Sequence, residues 1–286
     1  MAKSIMVQGT SSGSGKTTLA LALCRIFKQD GYKVAPFKSQ NITSNTAPVP
    51  GGGDIAISQI IQAYAAGTEP LAQMNPLVLK LSSVHGSSML INGLPGGSVN
   101  AYELDEIKET KLLPEIKRAY ELLDEQYDII VIEGAGSPVE LNLSKNDLVN
   151  MSMAKLAKAP VLLVGDISRG GVFASLYGTI SLFTEEERKH VKATVINKFR
   201  GDLARFYDGK NIIEDITGVP VAGILPYIDF DLPEEDDLFQ GTGAALTGSS
   251  DAGNGNRYDD EFDKIAAGVR EALDMDLVYS ILNSGV

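Results

Sequence analysis

Ser4-Ile-Met-Val-Gln8, followed at once by Gly9-Thr-Ser-Ser-Gly-Ser-Gly15-Lys16-Thr17-Thr18, decides the fold. A short apolar run leads into a glycine-rich loop, and the loop opens Lys16–Gln29, whose apolar positions recur at helical spacing. Glycines let such a loop curl so that successive amides and the helix N-terminus face phosphate oxygens. Gly13, Ser14, Gly15, Lys16, Thr17 and Thr18 are therefore the candidate phosphate cradle. Lys16 suits neutralisation of β- and γ-phosphates, and the Thr17 hydroxyl suits Mg²⁺. The common form sets four residues between its first glycine and the Gly-Lys pair. Here Gly9 lies one residue further out and Thr10 stands in the usual glycine slot. A chance glycine-rich turn is the competing reading.

Outward from the loop, short apolar runs alternate with helix-like stretches. Ser4–Gln8, Lys33–Lys38, Asp128–Glu133, Pro160–Asp166, Ala193–Lys198 and Val219–Leu225 read as buried parallel strands, most of them rich in Val and Ile. Ile57–Ala66, Lys111–Glu125 and Leu148–Lys158 read as helices between them, predicting right-handed crossovers and a sheet covered on both faces. The fold class is α/β, a doubly wound, mostly parallel sheet of the P-loop NTPase type over residues 1–237. Beyond it, Gly241–Asn256 has 5 glycines in 16 residues, predicting a flexible linker over 238–257. Tyr258–Leu282 spaces Phe262, Ile265, Ala266, Val269, Leu273, Val278 and Ile281 for one amphipathic helix or two short ones, a helical tail over 258–286.

The 286 residues, 44% apolar and 22% charged, suffice for one large domain with an appendage. Net charge is −12, yet residues 228–286 hold 14 acids against 3 bases, leaving 23 acids against 22 bases in residues 1–227. A near-neutral body without a basic stripe argues against a nucleic-acid partner. Cys24, the single cysteine, excludes an internal disulfide and a cysteine-based metal cluster. It falls in the helix after the loop, where a small buried residue is expected, and His85 matches no chemical pattern. No run approaches the ~18 apolar residues of a membrane span, and the N-terminus enters a strand directly. The expectation is a cytoplasmic protein without a membrane partner.

A phosphate loop of this kind needs an acid at the end of a neighbouring strand to hold Mg²⁺ or its water, and Asp128-Ile-Ile-Val-Ile-Glu133-Gly-Ala-Gly136 supplies Glu133. A carboxylate that only caps the next turn is the competing reading. Asn197-Lys198 ends another strand, where doubly wound nucleotide folds seat the base. Guanine-specific folds place an acid two residues beyond that lysine; here it is Arg200, which favours adenine. Asn197 as an ordinary turn former stays open.

These residues resemble the dethiobiotin synthetase-like P-loop ligases and, within them, the synthetase domain of the cobyric acid synthase family. The resemblance rests on Gly9–Thr18, Arg25–Asn41, Gly52-Gly-Asp54, Met74–Lys80, Glu133–Pro138, Asn142-Leu, Asp147-Leu-Val-Asn150, Gly165–Ser175 and Val195–Asp202, nearly continuous over 1–237. It implies ATP- and Mg²⁺-dependent amidation of peripheral carboxylates on a corrinoid substrate, a cobyrinic acid a,c-diamide becoming cobyric acid through an acyl phosphate. It also implies catalytic roles for Lys16, Lys38 and Glu133, with Lys38 beside the attacking carboxylate, and Asp54 as an additional metal carboxylate with Thr17 and Glu133. Gln40, Asn41, Asp166 and Arg169 are implied corrin contacts, Arg169 being able to grip a carboxylate bidentately. Lys38 as a solvated strand-end charge and Asp54 as a helix N-cap remain the alternatives.

The family ordinarily continues into a glutaminase domain that uses a Cys and a His. Here the only cysteine is Cys24 and the only histidines are His85 and His190, while Tyr258–Leu282 resembles the segment that ends the full-length enzyme. The chain is expected to take ammonia from outside or from a glutaminase partner, with a homodimer left open. Three other readings compete. One is amidation of another tetrapyrrole carboxylate, or carboxylation of a diamine. Another is a switch ATPase, against which stand Thr10-Ser11-Ser12, where such proteins carry a lysine. The last is a non-catalytic remnant that binds ATP or corrinoid.

Overall fold

The structure, a computed structural model, describes residues 1–82, 86–142, 147–232 and 254–286. In chain order the strands are β1 (Lys3–Gly9), β2 (Val34–Phe37), β3 (Gln40–Ile42), β4 (Thr46–Pro48), β5 (Asp54–Ala56), β6 (Leu77–Ser82), β7 (Gly86–Ile91), β8 (Leu94–Val99), β9 (Ile129–Glu133), β10 (Val161–Asp166), β11 (Val191–Phe199) and β12 (Val221–Pro226). The helices are α1 (Lys16–Gln29), α2 (Ile57–Ala65), α3 (Ala101–Ile107), α4 (Leu113–Asp124), α5 (Met151–Ala157), α6 (Val172–Leu182), α7 (Glu185–Arg188), α8 (Tyr207–Thr217), α9 (Asn254–Ala272) and α10 (Met275–Ser284). A six-stranded sheet has the order β12-β11-β10-β1-β9-β2. Two compact units divide the chain: Lys3–Ala22, Ile132–Phe230 and Lys264–Val286 form one, and Met1–Ala2, Leu23–Val131 and Asp231–Asp263 form the other.

In the first unit, β1 pairs with β10, β10 with β11 and β11 with β12, all parallel. Ile5, Met6, Val7 and Val161–Val164 are fully buried, which is why these strands read as unbroken apolar runs instead of alternating ones. Register brings Gly9 opposite Val164 and Asp166 opposite Asn197, so the loop, Asp166 and the Asn-Lys pair gather at the carboxyl ends of the strands. The helix expected from Leu148 starts only at Met151, because the Asp147 carboxylate takes the amides of Val149, Asn150 and Ser152 at 3.0, 2.7 and 2.8 Å. The tail forms two helices. At their junction β12 bridges Leu273 through Gly223, and the Asp274 amide donates to Ala222 at 2.7 Å while its side chain caps α10. A Cβ on Gly223 would lie 2.4 Å from the Ala272 carbonyl, so only glycine permits this approach.

In the second unit, Ile116, Ala119, Tyr120 and Leu123 form the buried stripe of α4, which follows a π-helical turn over Lys108–Leu112. A four-stranded sheet in the order β3-β6-β7-β8 and a β4-β5 pair have no counterpart in the expectations drawn above. The β7–β8 hairpin closes through Asn92-Gly93, both at positive φ (47° and 79°), the chemistry of a two-residue primed turn. Arg25, 5% exposed, reaches Asp263 at 2.7 Å and Asp259 at 2.9 Å, and its guanidinium lies 5.9 Å from the Phe262 ring centre. The expected linker lies outside the described residues as far as 253, and α9 begins at Asn254; His85 is also outside them.

Candidate functional site

At the end of β1 the chain turns into the loop, where Thr10 donates to Val164 at 2.9 Å and α1 starts with Leu19 bonded back to Gly15 at 3.0 Å. Gly13 and Gly15 have φ of 69° and 95°, left-handed conformations that allow consecutive amides to face one side. Lys16 is buried and curls over the loop, its Nζ donating to Ser11 O at 2.9 Å and Gly136 O at 3.0 Å. Thr17 Oγ1 donates to Glu133 Oε1 at 2.8 Å, and Glu133 is fully buried. Ser14 is also buried, and its hydroxyl has no hydrogen-bond partner among the described residues.

The Thr17 and Glu133 oxygens are hard donors of the kind Mg²⁺ takes when phosphate and water complete its shell. Among the described residues no cluster of three or more His, Cys, Asp or Glu forms a protein cage for a metal.

Two braces surround the loop. Behind Glu133, Asn150 Nδ2 donates to Ala135 O at 2.8 Å and its Oδ1 accepts from Ala135 N at 3.2 Å. Asn150 thereby fixes the segment whose Gly136 carbonyl receives Lys16. Sequence reasoning gave Asn150 no role; the signal was the Asp147-x-x-Asn150 spacing, in which Asp147 takes the Asn150 amide at 2.7 Å. On the other side, Asn197 Nδ2 donates to Ser14 O at 2.9 Å and its Oδ1 accepts from Lys198 N at 2.8 Å. Lys198 holds a left-handed φ of 60°, which costs a non-glycine residue about 1 kcal/mol. Its Nζ donates to Gly13 O and lies 3.2 Å from Asp166 Oδ2.

Asp166 Oδ1 accepts from both Ser168 N at 2.7 Å and Ser168 Oγ at 2.6 Å. Burial pushes the Asp166 carboxyl up, but the Ser168 donors and the Lys198 ammonium outweigh it and hold it below its ordinary value. Arg169 is exposed on the turn after β10, and Thr18 is half-buried in the first turn of α1.

The remaining expected residues belong to the second unit. Lys38 follows β2 and is 3% exposed, so it is not a solvated charge; its carbonyl accepts from Asn75 Nδ2 at 2.8 Å. Gln40 and Asn41 lie on β3, with Asn41 buried and 3.4 Å from Ser58 Oγ. Asp54 begins β5, and the N-cap of α2 is Ala56, without a side-chain cap bond, so Asp54 does not cap that helix.

A glycine loop between strand and helix, approached from the carboxyl ends of a parallel sheet, defines a P-loop nucleotide-binding domain. Residues 5–239 match the profile described as the CobQ/CobB/MinD/ParA nucleotide binding domain. The chain belongs to that family. It is 54% identical over 238 residues to a cobyric acid synthase of Ruminiclostridium cellulolyticum, a match covering 83% of this chain and 46% of the relative. A cobyric acid synthase of Salmonella typhimurium is 46% identical over 257 residues, covering 90% of this chain and 49% of the relative. The chain thus spans about half the length of the curated relatives it matches. Among solved structures it is similar to a ParA family ATPase from Chlorobium tepidum at 13% identity and a TM-score of 0.47, over 80% of this chain and 86% of that one. No helix among the described residues is long and apolar enough to cross a membrane.

Proposed function

We propose that this chain is an ATP- and Mg²⁺-dependent ligase that amidates side-chain carboxylates of a corrin ring, taking a cobyrinic acid a,c-diamide to cobyric acid. The observation that carries the reading is 54% identity over 238 residues with a protein named cobyric acid synthase. The loop geometry supports the nucleotide half. Lys16, bonded to two loop carbonyls, exchanges them for β- and γ-phosphate oxygens, where its charge offsets that building up in phosphoryl transfer. Thr17 and Glu133 would hold Mg²⁺, which would neutralise phosphate charge.

A corrin carboxylate oxygen then bonds to the γ-phosphorus as the bond to ADP breaks. Ammonia next forms the C–N bond of the amide as phosphate and a proton leave. Positioning is most of what the protein supplies in such a step. We assign Lys38 to the attacking carboxylate, Asp54 to a further metal contact, and Gln40, Asn41 and Arg169 to corrin amides and carboxylates. We also assign Asn197 and Lys198 to the nucleotide, with Arg200 in place of an acid favouring adenine.

The test is ATP hydrolysis by the purified chain with Mg²⁺ and ammonium, with and without a cobyrinic acid diamide, products being followed by mass. Corrinoid-stimulated hydrolysis with conversion of carboxyl to amide is expected. Hydrolysis indifferent to corrinoid, without amide, would overturn the reading.

A further inference from the structure

We propose that Asp166 is a positioning residue for the nucleotide: through Lys198 it holds the phosphate loop in the shape that receives phosphate. The inference deepens the function proposed above, resting on its nucleotide half, and replaces the corrin contact that the resemblance implies for Asp166. A side chain that grips an amide of the substrate needs an oxygen available to it. Asp166 Oδ1 already accepts two bonds from Ser168, and Oδ2 faces Lys198 Nζ at 3.2 Å with the side chain only 9% exposed.

The other end of the same lysine lands on the loop. Lys198 Nζ donates to Gly13 O, and its neighbour Asn197 donates to Ser14 O at 2.9 Å. Two successive loop carbonyls are thus drawn toward the end of β11. In a planar trans peptide the N–H points opposite to the C=O, so drawing these two oxygens to one side turns the amides of Ser14 and Gly15 to the other. Amides aligned in that way make an anion nest. A lysine swinging on its four-carbon stem would impose this only loosely. Asp166, itself locked by Ser168, removes that freedom, and the left-handed backbone at Lys198, with Ile167 N bonded to Asn197 O at 3.1 Å, fixes where the stem begins.

The experiment measures the dissociation constant of a fluorescent ATP analogue with Mg²⁺, and the corrinoid KM in ammonium-dependent turnover, for wild type, Asp166→Asn, Lys198→Met and the double variant. Melting curves establish that each variant folds. Loss of either partner is expected to weaken nucleotide binding about tenfold, as for a charge-assisted bond. The double variant should bind no worse than the singles, because the two residues act as one unit. Lys198→Arg should recover part of the affinity, and corrinoid KM should stay at the wild-type value. If Asp166→Asn does not fold, Lys198→Met alone carries the comparison. A raised corrinoid KM with unchanged nucleotide affinity overturns the inference in favour of a substrate contact, and additive losses in the double variant overturn it as well. Wild-type protein that binds no nucleotide overturns the nucleotide reading and the brace with it. Wild-type binding that neither variant changes overturns the brace alone.

Discussion

At Gly15 two demands fall on a single atom that is not there. The residue sits at φ of 95°, and a Cβ placed on it would stand 1.9 Å from Asn197 Nδ2, the atom that holds the Ser14 carbonyl. Gly15→Ala therefore meets the left-handed penalty of about 1–2 kcal/mol and loses a hydrogen bond worth about 1 kcal/mol. We expect it to lower unfolding free energy by roughly 2–3 kcal/mol and to abolish nucleotide binding, read by denaturant melts and titration with an ATP analogue. Retained affinity would mean that Asn197 does not shape the loop. Lys16, Thr17 and Glu133 stood out as candidates because of their position in a strand–loop–helix pattern, and the structure brings Thr17 onto Glu133. Asn197 stood out in the sequence only as the end of a strand. Its bond to Ser14 joins residues 183 apart, and no spacing along the chain encodes that.

Among the elements, α9 and the second half of α1 are joined by an ion cluster whose parts are unequally exposed. Arg25 is 5% exposed, whereas the Asp259 and Asp263 side chains are 36% and 51% exposed. Removing the arginine leaves two carboxylates that water can solvate, but removing both carboxylates strands a buried guanidinium. We expect Asp259→Asn with Asp263→Asn to lower the melting temperature more than Arg25→Met does, and the reverse order would show that the cluster is solvated. The Arg25 hydrogen bond holds the Asp263 carboxyl below its ordinary 3.8. Its contribution is thus complete above that value and fades as pH falls through the lower folded one, so acid titration should close the gap between wild type and Arg25→Met.

Elements divided sharply in how well the sequence announced them. The parallel strands stood out because burial on both faces makes them continuous apolar runs. By contrast β8, Leu94–Val99, is largely exposed and rich in glycine, so it offers no period to read. The Asn92-Gly93 pair was the readable signal for that hairpin, and attention to turn chemistry would have found it.

For the chain as a whole, the proposed amidation turns on where its nitrogen would come from. Glutamine hydrolysis of the kind found in the resembling family needs a thiolate that glutamine can reach. The only cysteine in these 286 residues, Cys24, is fully buried in α1. A thiol sealed from solvent in this way is out of reach of glutamine. His190 is buried too, its Nδ1 3.0 Å from the Ala159 carbonyl, so it serves the fold. If the proposed amidation holds, the purified chain should form amide with ammonium as donor, its rate rising with the unprotonated ammonia fraction as pH increases, and should release no glutamate from glutamine. Cys24→Ala should leave ammonium-dependent turnover at the wild-type level, because the thiol takes no part. Glutamate release by the wild type that Cys24→Ala eliminates would refute this account. Amide formation from glutamine only after a separate glutaminase is added would instead identify the chain as the synthetase half of a two-part amidotransferase.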